Sequence, residues 1–233
     1  MGDESRARES IPEFEALGIE AFTTTRAAGT FGLAGTDPVG EVMARWTALL
    51  AQSGASGICV APQVHGTTVL AHARPWDGIL RTPPADGHAT LERGIALSVT
   101  LADCAPVFLA HPSGAIALVH SGWRGTEAKI VHQAIRVLGR AGLSPDELYV
   151  HIGPAICGRC YEVSADVRAR LTGETSNRPG NVDIRSLIAE QAAGAGVSRI
   201  SVSASCTRCD NGTFFSHRAG DTGRQLAVIV AKQ

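Results

Sequence analysis

Three residues of the types that bind metals or attack substrates stand at the ends of short apolar segments: His65, Cys104 and His120. Zinc held by three protein ligands, with its fourth position open, is the usual catalytic arrangement, and two histidines with one cysteine form a known ligand set. A metal-free alternative makes Cys104 a thiolate nucleophile, with His120 as general base and Asp103 or another acceptor orienting the histidine. In a third interpretation the histidines are structural and Cys104 is a small buried side chain.

The segment around Cys104 has the pattern of a strand followed by a hairpin. An apolar strand is predicted over Ile95–Leu101, and after a polar break two short apolar runs follow at Pro106–Ala110 and Ala115–Val119. The composition of residues 111–114 predicts a four-residue turn between these runs. We therefore expect the two runs to pair as antiparallel strands.

The predicted hairpin brings two reactive side chains to its open end. In the register that a four-residue turn gives, Cys104 faces Ser121, and the β-carbons of Cys104 and His120 are roughly 7 Å apart or less. The Gly-Trp-Arg-Gly loop follows directly and places Arg124 at the same end. This combination indicates an active site rather than a buried core.

The remaining apolar patterns predict a single α+β domain. Strands and isolated helices do not alternate regularly, which favours mixed sheets over a regular parallel sheet. The domain is expected to span residues 11–233, behind a flexible tail over residues 1–10. Besides the hairpin, the pattern predicts strands at Ile19–Thr25, Ile58–Pro62, Thr67–Leu70, Leu148–Ile152, Arg199–Ala204 and Leu226–Val230, and helices starting at Asp37, Thr126 and Asp183.

Two Cys-x-x-Cys pairs, Cys157 with Cys160 and Cys206 with Cys209, form a second candidate metal site. Their ligand set is that of a four-thiolate structural zinc site. The gap between the pairs is longer than in a zinc ribbon, so the fold must bring them together, although each pair follows a predicted strand. The alternative, which this spacing favours, is a set of separate buried or weakly reactive thiols.

Charge and hydropathy exclude several classes of partner. The chain carries 21 basic and 22 acidic residues, so no basic surface for nucleic acid is expected. No apolar segment has the length of a membrane span, and the charged N-terminus lacks the apolar part of a signal peptide. The expected location is the cytoplasm, where the six cysteines are thiols or metal ligands rather than disulfides.

Arginines in loops beside strand ends are candidates for binding anions. Arg26, Arg124 and Arg218 occupy such positions and could clamp a phosphate or a carboxylate, and Arg124 stands out because of its neighbours. The sequence has no P-loop, no G-x-G-x-x-G and no G-x-S-x-G motif. Phosphate binding by a P-loop, dinucleotide binding and serine-elbow chemistry therefore have no motif support.

Several motifs occur in series along the chain: QVHG (Gln63–Gly66), LADCAPV (Leu101–Val107), VHSGWRG (Val119–Gly125), IGPAIC and CYEV within Ile152–Val163, and CT, DN and FFSHR within Cys206–Arg218. Together they resemble one known family, the laccase-domain or multicopper polyphenol oxidase family. Its members are described as purine nucleoside phosphorylases with adenosine deaminase and methylthioadenosine phosphorylase activity. The resemblance extends from about Thr23 to the C-terminus.

The resemblance implies a fold, a ligand set and a substrate site. The fold is a layered α/β/β/α sandwich with mixed sheets, related to the cytotoxic necrotising factor catalytic domain. The zinc ligands are the His of QVHG, the Cys of LADC and the His of VHSGWRG, which are His65, Cys104 and His120. The substrate-binding residues expected beside them are Arg26, Gln63, Asp103 and Arg124.

The chain departs from the family pattern in two places. The family's S-L-N-L-G segment after T-T-R is replaced by AAGTFGLAGTDP at residues 27–38, so we expect a shorter wall of the substrate pocket, which bears on substrate choice and on the role of Arg26. The second Cys-x-x-Cys pair exceeds the general family pattern. It marks a subgroup that has either an extra metal or none.

Taken together, these features predict a zinc-dependent enzyme that acts on purine nucleosides and phosphate. The family label suggests copper, but a multicopper oxidase needs a histidine-rich cluster with His-x-His pairs, and the eight histidines form none. Two alternatives remain open. One is a cysteine hydrolase, with Cys104 as nucleophile and His120 as base, acting on a cytoplasmic cell-wall precursor, since some family members are linked to the editing of such precursors. The other is a non-catalytic metal-binding protein.

Overall fold

The computed structural model describes residues 7–174 and 177–233 and has two six-stranded sheets packed face to face. Segments rich in β-branched and aliphatic residues form the strands, because such side chains pack well on a pleated surface. The first sheet, in the order in which neighbouring strands are hydrogen-bonded, consists of β1 (Arg8–Ser10), β2 (Ile19–Thr24), β14 (Gln225–Ala231), β7 (Ile95–Leu101), β3 (Gly57–Val60) and β5 (Gly78–Arg81).

The second sheet contains the predicted hairpin at its centre. Its strands, again in spatial order, are β13 (Arg199–Val202), β10 (Tyr149–Ile152), β8 (Ala105–Ala110), β9 (Ile116–Ser121), β6 (Gly87–Thr90) and β4 (Val69–His72). Strands β8 and β9 are antiparallel, whereas β10 and β13 are parallel, so the sheet is mixed as predicted. A separate ribbon pairs β11 (Glu162–Val163) with β12 (Gly180–Asn181).

Helices cover the outer face of each sheet. They are α1 (Val39–Ser53), α2 (Trp123–Glu127), α3 (Ile130–Gly139), α4 (Ala165–Thr172) and α5 (Ile184–Gly194). The apolar side of α1 packs on the first sheet through Trp46 and Leu49, while Ile130 and Ile188 anchor α3 and α5 on the second sheet. The layers therefore stack as α/β/β/α, which confirms the fold that the resemblance implies. Within the described part of the chain, no helix combines the length and the apolar character that a membrane crossing requires.

The interior between the sheets supports the strands that carry the candidate site. Leu97 on β7 packs in one cluster with Phe108 on β8 and Leu118 on β9, and all three side chains are fully buried. Burying each such side chain stabilises the fold by about 1.5–3 kcal/mol relative to leaving it exposed. Because β7, β8 and β9 share this core, the loops at their ends are held on a rigid support.

The hairpin register differs by one residue from the prediction. Ala105, rather than Cys104, lies opposite Ser121, and Pro106 lies opposite His120. The connection has five residues instead of four, because the His111 amide donates to the Ala115 carbonyl at 2.9 Å and the strand resumes only at Ile116. Gly114 in this turn has a φ of 96°, a conformation that glycine adopts without strain. Cys104 therefore lies just beyond β8.

Three further predictions need correction. Arg8–Ser10, which the sequence placed in the flexible tail, form β1 and pair with β2, whereas residues 1–6 of that tail lie outside the described residues. The helix expected to begin at Thr126 is two helices, α2 and α3, separated by Lys129 with a φ of 58°. Pro38, rather than Asp37, occupies the N-cap position of α1, and it makes no side-chain capping hydrogen bond.

Asp183, the predicted start of α5, is its N-cap. Its carboxylate accepts a hydrogen bond from the Arg185 amide at 3.0 Å and pairs with the Arg185 guanidinium at 3.3 Å. Burial alone would raise the pKa of Asp183, but these bonds hold the pKa below its usual value. We expect Asp183→Ala to lower the free energy of unfolding by about 1 kcal/mol at neutral pH.

The expected pH dependence of that loss follows from the direction of the pKa shift. Since the folded-state pKa of Asp183 is depressed, its contribution is present above the unfolded-state pKa of about 3.9 and is lost as the pH falls through the folded-state pKa. Denaturant unfolding of both proteins across this range measures the effect, with Glu190→Ala on the exposed side of α5 as control. An equal difference at pH 7 and at strongly acidic pH would contradict the assignment.

Candidate metal centre and adjoining cavity

The structure brings His65, Cys104 and His120 together. One ligand atom from each lies within 4.8 Å of the others, and the two imidazole rings meet edge to face with centroids 5.0 Å apart. Three separate elements supply them: the loop after β3, the break between β7 and β8, and the end of β9. His65 is exposed, Cys104 is half-buried and His120 is buried, so the group is open on one side.

Asp86 holds both histidines in place. Its fully buried carboxylate accepts a hydrogen bond from His120 Nδ1 at 3.1 Å and from the amides of His65 and Gly66 at 2.9 and 2.7 Å. His65 has a φ of 59°, a left-handed conformation that these amide bonds stabilise. Because Nδ1 of His120 is bound to Asp86, its Nε2 is the nitrogen that remains for a ligand. Metal-binding histidines are commonly held by a carboxylate in this way.

The sequence singled out no role for Asp86. In the sequence it is one aspartate ahead of a glycine, and its role becomes visible only when β6, β9 and the loop after β3 are assembled. Asp103, suggested as the residue orienting His120, instead accepts hydrogen bonds from the Thr207 hydroxyl at 2.6 Å and the Arg218 amide at 2.7 Å. Asp103 has a φ of 84°, so these bonds fix the turn just before Cys104.

Cys104 and His120 form a charged pair when no metal is bound. Burial alone would raise the pKa of Cys104, but the charge of His120 and hydrogen bonds from His120 and His65 lower the pKa to about 6. Burial would lower the pKa of His120, whereas the Cys104 thiolate and Asp86 raise it to about 9. Near neutral pH the cysteine is thus a thiolate, the form that binds metals or attacks substrates.

Gly122, the first glycine of the Gly-Trp-Arg-Gly motif, leaves room for the centre. A β-carbon at this position would lie 2.9 Å from Cys104 Sγ and 3.3 Å from His65 Cδ2. The donor set of one thiolate and two imidazoles fits zinc, which accepts nitrogen and sulfur ligands. With three protein ligands and one exposed side, the centre matches a catalytic rather than a closed structural site.

A cavity of about 590 Å³ adjoins the three residues, and all of them line it. Residues 31–35, in the segment that replaces the family's S-L-N-L-G, form part of its wall, so the altered segment still contributes to the pocket. Gln63 also lines the cavity, with its amide fixed by two 2.8 Å hydrogen bonds to the Thr100 backbone. Arg81 and Arg224 add positive charge to the wall.

Of the four residues expected to bind substrate, Gln63 lines the cavity, whereas Arg26, Asp103 and Arg124 do not. Arg26 pairs with Asp221 at 2.7 Å, donates to two backbone carbonyls and stacks on the Phe215 ring, so its guanidinium is engaged in holding the C-terminal loop. Arg124 lies over the Trp123 ring, with 4.4 Å from its guanidinium carbon to the ring centroid. Neither is among the residues that line the cavity. The arginines that line the cavity are instead Arg81 and Arg224, which the sequence gave no reason to choose as substrate-binding residues.

The four cysteines of the Cys-x-x-Cys pairs also meet. Their sulfur atoms lie within 4.8 Å of one another, and all four are thiols rather than disulfides. The separate thiols that the spacing favoured are therefore not what the fold produces. The cluster of Cys157, Cys160, Cys206 and Cys209 is called the cysteine cluster below.

Comparison with known proteins identifies the family of this chain. The sequence matches the family described as multi-copper polyphenol oxidoreductase laccase over residues 23–232. A protein named purine nucleoside phosphorylase from Streptomyces griseus is 38% identical over 176 residues, which cover 72% of this chain and 71% of that protein. Another protein of that name, from Mycobacterium tuberculosis, is 36% identical over 233 residues, with 91% of each chain covered.

A solved structure matches over nearly the whole chain. YlmD from Geobacillus stearothermophilus superposes with a TM-score of 0.83 and 30% sequence identity, and the match covers 93% of each chain. The sequence match includes all three residues of the candidate centre and the cysteine cluster. This chain therefore belongs to the multi-copper polyphenol oxidoreductase laccase family.

Proposed function

We propose that this protein is a zinc-dependent purine nucleoside phosphorylase, which also deaminates adenosine and cleaves methylthioadenosine in the same cavity. The observation that carries the proposal is the convergence of His65, Cys104 and His120 within 4.8 Å at the wall of a 590 Å³ cavity. The names of the relatives from Streptomyces griseus and Mycobacterium tuberculosis support the choice of reaction. Zinc is proposed rather than copper because the histidines form no His-x-His pairs.

His65, Cys104 and His120 would hold the metal. When bound there, zinc supplies a Lewis acid that can lower the pKa of water or polarise a substrate oxygen. Asp86 accepts the hydrogen bond from His120 Nδ1, so the metal would bind at Nε2 in place of the proton that this nitrogen carries in the metal-free protein. Gln63, tied to the Thr100 backbone, forms a fixed polar part of the wall against which a nucleoside can be oriented.

Phosphate binding is assigned to Arg81 and Arg224 rather than to Arg26 and Arg124. Both residues line the cavity, and a guanidinium can bind phosphate oxygens with two parallel hydrogen bonds. Arg224 is anchored through donation to the Thr222 and Gly223 carbonyls, whereas the Arg81 side chain is exposed. In phosphorolysis, the phosphate they hold attacks the sugar carbon and the purine base departs.

We expect the protein to release a base from inosine and methylthioadenosine only when phosphate is present, and ammonia from adenosine without phosphate. Chromatography of reactions with and without phosphate measures both. Arg81→Gln should raise the KM for phosphate and leave deamination of adenosine unchanged, while Arg136→Gln, an exposed arginine on α3, serves as the matched control. Neither base release nor ammonia from any of the three nucleosides would contradict the proposal.

A cysteine hydrolase is the second candidate function. The observation that favours it is the lowered pKa of Cys104, about 6, beside the imidazole of His120. On this alternative, Cys104 attacks an amide of a cell-wall precursor and no metal is needed. A thiol reagent would label Cys104 and stop turnover, while chelation would leave turnover intact. Loss of activity on chelation, with recovery on adding zinc, excludes this alternative.

A further inference from the structure

The sheet brings the two Cys-x-x-Cys pairs together. Strands β10 and β13 are parallel neighbours, so their C-terminal ends leave the sheet at the same edge. The pairing continues beyond the strands, where Ala155 forms a parallel bridge with Cys206 and the Thr207 amide donates to the Ala155 carbonyl at 3.2 Å. Backbone hydrogen bonds therefore fix Cys157 and Cys206 side by side, although 49 positions separate them in the sequence.

The spacing of the sulfur atoms suits one tetrahedral metal. The Sγ atoms of Cys160 and Cys209 are 3.4 Å apart, and all four sulfur atoms lie within 4.8 Å of one another. With zinc–sulfur bonds of about 2.3 Å, the edges of a regular tetrahedron of sulfur atoms are roughly 3.8 Å. A disulfide would need sulfur atoms about 2.05 Å apart. The observed separation thus matches shared coordination better than a covalent bond.

Two backbone amides donate to one of the sulfur atoms, as amides do in thiolate metal sites. Cys206 Sγ accepts hydrogen bonds from the amides of Cys157 and Cys209 at 3.2 and 3.4 Å. The amide of Cys160 donates to the Cys157 carbonyl at 2.9 Å and closes a tight turn. Amide donors favour the charged thiolate over the thiol. Cys157 and Cys206 are buried while Cys209 is exposed, which gives a metal a route from solvent.

We propose that the cysteine cluster binds one zinc ion in a closed, four-thiolate structural site that is separate from the centre at His65, Cys104 and His120. Four thiolates select zinc over hard cations, and four protein ligands leave no open position for substrate. The zinc links the end of β10 to the end of β13. It thereby ties both ends of the long segment between Cys160 and Cys206 to the edge of the second sheet.

This second metal site also supports the loop that carries Cys104. Thr207, between two of the cluster's cysteines, donates to the Asp103 carboxylate, and the Ile156 amide donates to the Asp103 carbonyl at 3.0 Å. Asp103 directly precedes Cys104. The segments that the zinc holds are therefore those that fix the turn before Cys104, so the structural metal positions a ligand of the other centre.

The test uses the full-length protein with Cys104→Ala, because this substitution disrupts the centre at His65, Cys104 and His120. After metal removal under reducing conditions, titration with cobalt should give one equivalent per chain with thiolate-to-cobalt charge-transfer bands. Adding Cys209→Ser, at the exposed position least needed for folding, should abolish those bands, and adding Cys157→Ser should do the same. Adding Cys59→Ala, which removes the buried sulfur of a third Cys/His group that also contains His72 and His88, should leave them intact.

Thermal unfolding gives an independent readout, because metal binding at a structural site contributes to folding stability. A chelator should lower the melting temperature of the Cys104→Ala protein and should have no effect once Cys209→Ser is added. Circular dichroism establishes that each variant is folded. The proposal is overturned if the folded Cys104→Ala protein binds no cobalt or zinc, or if its bound ion is unaffected by both serine substitutions.

Discussion

Replacing Cys104 by alanine is expected to reduce phosphorolysis and deamination to the rate without enzyme, while the protein stays folded. Cys104 supplies the thiolate of the three-residue centre, and two histidines alone leave too few protein ligands for a catalytic zinc. The stability loss should be small, because the change removes one half-buried sulfur atom from a site at a loop. Zinc content per chain, nucleoside turnover and melting temperature measure the three effects.

Cys59→Ala provides the matched control for that experiment. Cys59 is fully buried on β3, and burial raises the pKa of its thiol to about 12, so it stays neutral at physiological pH. This variant should therefore retain turnover and the metal content of the unmodified protein. Turnover by Cys104→Ala at the rate of the unmodified protein would show that the three-residue centre does not carry out the chemistry.

Replacing Asp86 by asparagine is expected to weaken zinc binding or turnover by about 10–100-fold, the usual effect of losing a carboxylate behind a metal-binding histidine. Asparagine has one acceptor oxygen, so it cannot accept all the hydrogen bonds that His120, His65 and Gly66 donate to the two carboxylate oxygens. Its NH₂ group would instead face a buried N–H donor.

Competition with a chromogenic chelator measures the zinc affinity of Asp86→Asn, and kcat/KM for a nucleoside measures its activity. Asp77→Asn, an exposed aspartate in the preceding loop, is the control and should match the unmodified protein. If Asp86→Asn were folded and had unchanged zinc affinity and turnover, the carboxylate would have no part in orienting the histidines.

The residue pattern predicted a mixed-sheet α+β domain and most of its strands because these depend on local hydropathy, whereas the layered α/β/β/α arrangement was implied by the resemblance to the family. Ile95–Leu101 is a strand with the predicted bounds, and Asp183 caps a helix as its position before an apolar stripe indicated. The hairpin register was wrong by one residue because turn composition did not distinguish a four-residue loop from a five-residue loop. That distinction depends on a single hydrogen bond from His111 to Ala115.

The parts of the site that the sequence missed are those created only by tertiary contacts. Asp86 connects both histidines across three elements, and no local pattern marks an aspartate for this role. Arg81 and Arg224 are far apart in the chain, yet both line the cavity because β5 and β14 belong to one sheet. Conversely, Arg26 was selected for its loop position, but a partner at Asp221 engages its guanidinium.

Metal at His65, Cys104 and His120 is expected to drive phosphorolysis in the adjoining cavity. The most direct test of this role is to titrate zinc into metal-free protein while measuring phosphate-dependent release of the base from inosine, with Cys104→Ala treated in parallel. We predict that activity rises from zero with added zinc, reaches a plateau at a fixed stoichiometry, and does not appear in Cys104→Ala. Equal base release by the metal-free protein, or zinc-stimulated release by folded Cys104→Ala, would contradict this role.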